Sequence, residues 1–431
     1  MFNDKISDYI EGVAAKYLSS VDTKKDKKSN QHEIGGLIRA GFGKYLGQGS
    51  ENFHYRVRQI YVTDELEEPV ICDGHVTWYD TRRDDDSRGP EYRLYYYDSA
   101  VTELMGAGDF LLIAKLRNEL PLLASTTEMG GEEFRSGSFL MVFAPAGSSV
   151  EHQLRVMFGL SDIENTFKAG TLDTVDLLLP LRSMLESLGV ETGTGIPQED
   201  KWLDTLIGAF GGKEFPTTSI FSGFSRRSIG DDVAPLDAPD ATLMAWMERE
   251  ESLFKIYERH LVRERLTKGF DEDVEAFISF SLSVQNRRKS RAGHAFENHL
   301  DCLFRHHGLQ FQQGRGKGMV TENNSKPDFV FPSFAAYRDR NFPEFRLTML
   351  GAKTTCKDRW RQVLSEAKRI ESKHLVTLEA AISGVQLEEM QSHSLQLVIP
   401  ASIHTTYTAD QKATLMDLER FIGHVHKLQQ S

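Results

Sequence analysis

The chain has 431 residues with 40% hydrophobic and 26% charged side chains, an ordinary globular composition that excludes a disordered chain and suits two or three domains. The net charge is −12, which speaks against indiscriminate nucleic-acid binding, yet residues 281–370 hold 17 Lys+Arg against 8 Asp+Glu and leave −21 on the rest. That basic island predicts a polyanion-binding surface within an acidic chain. Three widely spaced cysteines (Cys72, Cys302, Cys356) exclude a disulfide framework and a CxxC zinc site. No apolar run reaches the ~18 residues of a membrane span, and no basic-then-apolar leader opens the sequence. The expectation is a reduced, cytoplasmic protein with no membrane association.

In chain order, Ile6, Tyr9, Ile10, Val13, Tyr17 and Leu18 predict an amphipathic helix over 5–18. A polar basic loop follows, carrying Lys24, Lys25, Lys27, Lys28, Asn30, Gln31 and His32. Strands are predicted at 55–63, 75–80, 92–98, 110–116, 139–144 and 152–158, separated by the turns 82–90, 106–109 and 145–149. Five or six strands imply a β-barrel-like first domain over 1–175. A linker is expected over 176–205, and 187–240 reads as loop-rich. A second domain over 206–431 alternates helices (241–267, 271–283, 291–307, 358–371, 409–428) with short strands (328–331, 346–353, 374–378, 395–399). That order predicts an α/β fold with a mixed central sheet.

Chemistry concentrates in the second domain. Pro327-Asp328 opens one strand, Lys353 ends the next, and Glu366 lies on the following helix. Two carboxylates and a lysine are what a magnesium-dependent nuclease needs. The acids hold a hard cation, the cation activates water and stabilises charge on a phosphorane, and the lysine places the water and neutralises phosphate. The set resembles the PD-(D/E)XK nuclease arrangement with one departure: that motif has its second acid two residues before the lysine, where Gly351 stands here. Read alone, the pattern is weak, and a capping Asp328 with a surface Lys353 is the commoner explanation of it. Glu297 is an acid on a helix face. Arg287, Arg288, Lys289 and Arg291, expected just before a helix, suit phosphate contact as a group. The loop 312–326 is no Walker loop, because its spacing and ending differ. Cys302, His306 and His307 lack a second ligand pair.

The segments SVQNRRKSRAGHAFENHLDCLF (283–304), KPDFVFPSFAAYRD (326–339) and LGAKTTCKDRWRQVLSEAKRI (350–370) resemble the catalytic domain of EcoRII-type restriction endonucleases. More thinly, the resemblance runs from about 215 to the C-terminus. It implies a PD-(D/E)XK domain with Mg2+ held by Asp328 and Glu366, Lys353 as catalytic lysine, and Glu297 as a further acid beside the metal. It also implies Lys357 and Asp358 as readers of outer C:G pairs, where a cation suits guanine O6/N7 and a carboxylate suits cytosine N4. The thinner likeness of 16–32 and 106–115 implies a plant B-three type pseudobarrel as effector domain. Its DNA contacts are expected from the basic loop (Lys25, Lys28, His32) and from Arg82, Arg83, Arg88 and Arg93, with Asp84–Asp86 pairing internally. The expected function is a type II site-specific deoxyribonuclease. It acts as a homodimer on double-stranded DNA at a CC-W-GG-like site, leaves 5′-phosphates, and is paired with a methyltransferase for the same site that need not bind it. Two alternatives stay open: a modification-dependent nuclease whose first domain reads methylcytosine, and a DNA-binding protein on a dead nuclease fold.

Overall fold

The computed structural model describes residues 5–23, 32–66, 68–85, 87–120, 134–172, 177–194, 196–316, 318–356 and 359–430. It divides into two units. One runs to Thr192 and takes in Ala381–Val385, and the other holds Gly193–Ala380 and the chain from Gln386 onward.

The first unit is built on an eight-stranded sheet. Its strands are β1 (Ile10–Tyr17), β2 (Glu33–Gly35), β3 (Phe53–Tyr61), β4 (Val70–Asp80), β5 (Tyr92–Tyr96), β6 (Phe110–Leu116), β7 (Phe134–Ala144) and β8 (Lys168–Ala169). They lie in the order β2-β5-β4-β3-β7-β6-β1-β8, and every pairing is antiparallel except β3 with β7. Trp78, Tyr96, Phe42, Phe139 and Met141 fill one core against it. Among its described residues the unit also holds the helices α1 (Ser149–Met157) and α2 (Leu179–Ser187).

Two expectations are corrected here. The helix expected over 5–18 is a single 3-10 turn followed by β1. Flanked by β6 and β8, β1 is buried almost throughout, so its apolar residues need no two-residue alternation and imitate helical spacing. Gly12 fits this placement, since a Cβ there would meet the Tyr45 ring at 2.3 Å. The strand expected over 152–158 is α1, whose Ser148 cap accepts from the Glu151 amide. Ser148-x-x-Glu151 is the helix-start signal that the strand reading passed over.

The second unit pairs a helical bundle with a five-stranded sheet. The bundle holds α3 (Glu199–Phe210), α4 (Thr218–Ile229), α5 (Pro239–Lys268) and α6 (Val274–His306). The stretch read as linker therefore carries α2 and part of α3, and the stretch read as loop-rich carries α4. Leu206, Phe221, Leu253, Phe254 and Tyr257 make the bundle's core. The two helices expected at 271–283 and 291–307 are one, α6. The sheet is ordered β13 (Leu395–Val398), β12 (Lys373–Thr377), β11 (Thr348–Lys353), β10 (Phe329–Phe331), β9 (Gln312–Gln313). The pairs β11–β12 and β12–β13 are parallel, whereas β9–β10 and β10–β11 are antiparallel, which makes the sheet mixed. Phe304 of α6 packs edge-on against Phe329 and Phe331 of β10, fixing the helix to the sheet. The remaining helices are α7 (Phe334–Arg338), α8 (Trp360–Ser365), α9 (Gly384–Ser392), α10 (Ala409–Lys412) and α11 (Leu418–Gln430). The helix expected over 358–371 shrinks to α8, and that expected over 409–428 breaks into α10 and α11. No helix among the described residues is long and apolar enough to cross a membrane.

Candidate active site

Asp328 stands just before β10, whose antiparallel register with β11 sets Phe329 opposite Leu350. Its side chain therefore reaches the end of β11. The Ala352 amide donates to Asp328 Oδ2 at 2.7 Å and the Lys353 ammonium donates to the same oxygen at 2.8 Å. Oδ1 accepts no hydrogen bond among the described residues. The acid and the lysine are thus fixed to each other by the strand pairing itself.

Gly351 occupies the place where the usual second acid would stand. A Cβ built there would lie 2.8 Å from Val363 Cγ2 and 3.4 Å from Leu375 Cδ1. Without a side chain at 351, α8 can lie close on β11, and Glu366 follows directly at the helix end. Its amide donates to Val363 O at 3.2 Å. Glu366 was expected on the helix; it is instead the residue that ends it, with extended backbone. Burial, and then the Asp328 charge, push its carboxyl up to about 7, against the opposing pull of Lys353 and Lys373. Its Oε2 is buried and has no hydrogen-bond partner among the described residues.

Glu297 comes in from α6. Burial first and the Asp328 carboxylate second raise its pKa, and Arg315 opposes them. Arg315 donates through Nε and a terminal nitrogen to Glu297 Oε2 at 3.1 and 2.6 Å, and to Asn298 Oδ1 at 3.0 Å. The structure therefore brings Asp328, Lys353, Glu366 and Glu297 into one electrostatic neighbourhood. Sequence reasoning missed two cations there. Arg315 was read only as part of the loop 312–326, and Lys373, the first residue of β12, was not considered. Neither carried a signal beyond its charge.

The other expected contacts are distributed differently. Arg287, Arg288, Lys289 and Arg291 lie within α6, not before it. Arg291 is withdrawn from any phosphate, because its side chain is 8% exposed and pairs with Glu250 at 3.0 Å. Arg288 pairs with Glu258 at 2.6 Å, and Arg287 lies over the Phe215 ring. In the first unit Arg82 and Arg93 both pair with Glu91, and Arg83 donates to Asn52 Oδ1 at 2.6 Å. Arg88 lies 3.7 Å from Asp85, so part of the acidic run does pair within its hairpin. His32 stacks on Tyr96 with centroids 5.3 Å apart. Lys25, Lys28, Lys357 and Asp358 lie outside the described residues.

Residues 254–422 match the EcoRII C-terminal family. That part of the chain is thus homologous to EcoRII-type restriction endonucleases, as the three segments around Glu297, Asp328 and Lys353 imply. Over 185 residues the chain is 45% identical to the type II restriction enzyme EcoRII of Escherichia coli, covering 43% of this chain and 45% of that protein. Over 110 residues it is 34% identical to the type II restriction enzyme SsoII of Shigella sonnei, covering 24% and 35%. Among solved structures, metal-depleted Ecl18kI in complex with uncleaved, modified DNA aligns at 20% identity and a TM-score of 0.43, over 55% of this chain and 86% of that one. The chain spans less than half the length of the curated relatives it matches.

An acid restored at Gly351 is expected to fail. Gly351→Glu drives a side chain into Val363, which costs about 1–3 kcal/mol of stability. A Gly351→Glu, Glu366→Ala double variant should stay inactive in a plasmid-nicking assay. Recovered cleavage would show that the acid can be supplied from β11.

Proposed function

We propose that the chain is a type II site-specific deoxyribonuclease that hydrolyses phosphodiesters of double-stranded DNA with Mg2+. The observation that carries this reading is the buried, unbonded Oε2 of Glu366, set within the field of Asp328 beside Lys353. A buried carboxylate oxygen with no donor, next to a second carboxylate, fits a hard cation that takes one or two carboxylates and completes its shell with water. Asp328 and Glu366 would hold it. Bound there, it would lower the pKa of a water and offset charge developing on the phosphoryl group.

The chain's own groups do the rest. Asp328 Oδ2 pins Lys353 at the strand end, where the ammonium sits preorganised for the phosphate oxygens and costs no reorganisation during reaction. Arg315 holds Glu297 in place at the margin of the site. We assign Lys357 and Asp358 to the outer C:G pairs of a CC-W-GG-like site, and Arg287, Arg288 and Lys289 to the backbone. A pseudo-palindromic target calls for a symmetric reader, so the enzyme acts as a homodimer. The first unit is assigned as a B-three type effector pseudobarrel, with His32, Arg82, Arg83 and Arg93 facing a second DNA site once released from their internal partners. The second unit is assigned the PD-(D/E)XK fold. The setting is cytoplasmic, beside a methyltransferase for the same site.

Digestion of unmethylated and cytosine-methylated phage DNA with Mg2+, with fragment ends sequenced, tests this. Expected are 5′-phosphate ends at one CC-W-GG-like sequence in unmethylated DNA only. Cleavage confined to methylated DNA would make the first unit a modified-base reader. Site binding without cleavage, also by the isolated fragment 200–431, would mean a dead nuclease fold.

A further inference from the structure

We propose that Glu322 is a positioning residue: through the backbone just beyond Glu366 it sets where that carboxylate stands relative to Asp328. The inference rests on the reading of Asp328 and Glu366 as a cation-holding pair and adds what fixes their spacing.

Glu366 ends α8, and the chain turns at once. Ala367 is fully buried with φ at +46°, in the left-handed region that a residue with a Cβ keeps only where its surroundings dictate it. Those surroundings are three successive backbone contacts. The Ala367 amide donates to Thr321 Oγ1 at 3.4 Å, the Lys368 amide to Glu322 Oε2 at 3.2 Å, and the Arg369 amide to the Tyr337 hydroxyl at 3.2 Å. The Tyr337 hydroxyl lies 2.7 Å from both Glu322 oxygens, so it donates to that carboxylate while accepting from Arg369. Glu322 thus takes one amide directly and a second through Tyr337.

Glu322 also belongs to the approach to Asp328. The turn 321–325 closes on itself, with the Thr321 amide donating to Ser325 O at 2.9 Å and the Ser325 amide to Glu322 O at 3.1 Å. Asp328 follows three residues later, its Oδ2 fixed to β11. On the other flank of β10, the Arg369 guanidinium donates to the Asp339 and Phe342 carbonyls at 3.0 and 2.9 Å. The turn that carries Glu366 is therefore clamped to the segments before and after the strand that Asp328 opens. Burial would raise the Glu322 carboxyl, yet the Tyr337 hydroxyl, its own backbone and the Lys368 amide outweigh that and hold it below the ordinary carboxylate range. Its oxygens are engaged as acceptors, so it acts through the turn and not on the cation. Oε2 of Glu366 has no hydrogen bond among the described residues to aim it, which leaves the aiming to the backbone. Mg2+ demands near-octahedral geometry, so the spacing of two acids around it tolerates little error.

Hydrogen exchange and Mn2+ binding of the full chain test this. Glu322→Ala is expected to speed exchange without metal by about tenfold or more in the peptide holding 367–369. It should also weaken Mn2+ binding, read from free Mn2+ by electron paramagnetic resonance, by about 10–100-fold, the usual effect of losing an outer contact to a ligand. Glu322→Gln loses the charge but keeps an acceptor oxygen, so it should stay within about threefold of wild type in both. Glu344→Ala, which removes only an exposed ion pair to Arg369, should change neither. Thr321→Val removes one contact of the three and should give a smaller loss of the same kind, which decides the matter if the alanine variant unfolds. In cleavage, kcat should fall with Mn2+ affinity while KM for DNA holds. Unchanged exchange or unchanged Mn2+ affinity in Glu322→Ala would overturn the positioning role while the nuclease reading stands. A glutamine variant as weak as the alanine one would reduce Glu322 to a distant charge and overturn it too. Mn2+ binding that Asp328→Ala leaves intact would overturn the cation pair and this inference with it.

Discussion

Asp328→Ala is expected to reduce single-turnover cleavage by about four orders of magnitude or more while leaving site-specific DNA binding in place. The size follows from what one carboxylate does. Asp328 holds the Lys353 ammonium through Oδ2 and, in the proposed site, would supply half of the acid pair, so its loss would remove a cation ligand and the lysine's anchor together. Neither role contributes to reading bases. Binding measured with Ca2+ in place of Mg2+ should stay within a few-fold of wild type. A variant that cleaves at the wild-type rate would rule out this site. A second consequence can be read separately. The Asp328 charge raises both Glu297 and Glu366, so each should titrate lower in the variant, though burial keeps both raised.

Glu366→Gln is expected to abolish cleavage and, without metal, to stabilise the protein at pH 8 but not at pH 4. The ordinary value of 4.5 is pushed to about 7 in the fold, so the native state holds the proton more tightly than the unfolded chain does. The stability this confers is complete below about 4.5 and is lost as pH rises through 7. Above 7 the buried carboxylate is charged at a cost on the order of 2 kcal/mol, discounted for partial exposure. Glutamine resembles the neutral acid and never bears that cost. Urea denaturation with EDTA at the two pH values measures the difference. Equal destabilisation at both would contradict the burial account. Under the proposed function the same titration predicts cleavage falling as pH drops below 7, because a protonated Glu366 would no longer hold the cation.

The sequence carried the second unit further than the first. Its four predicted strands appear as β10 to β13, and Asp328, Lys353, Glu366 and Glu297 meet, because short apolar runs bounded by turns and a strand-ending lysine are local signals. What stayed hidden depended on distant partners. Arg291 looked like a phosphate ligand because its acid, Glu250, lies 41 residues away on another helix. The run Arg287–Arg291 looked like a break between helices for the same reason. Charges that α5 receives read as a polar gap. Gly351 looked like a missing acid, and only the Val363 contact reveals it as the space that lets α8 bring Glu366. In the first unit β1 imitated a helix because both of its faces are covered, a property of its neighbours rather than of its own residues.

That α6 runs unbroken from Val274 to His306 has a mechanical consequence. Leu282 and Glu297 stand on one rod, about 22 Å apart at ~1.5 Å per residue. A stiff rod of that length turns a tilt of roughly 5° at one end into a displacement of about 2 Å at the other. Whatever grips the outer end therefore sets where the Glu297 carboxylate stands, and the alignment of the proposed site becomes a lever arm's reading of whether its distant end is held.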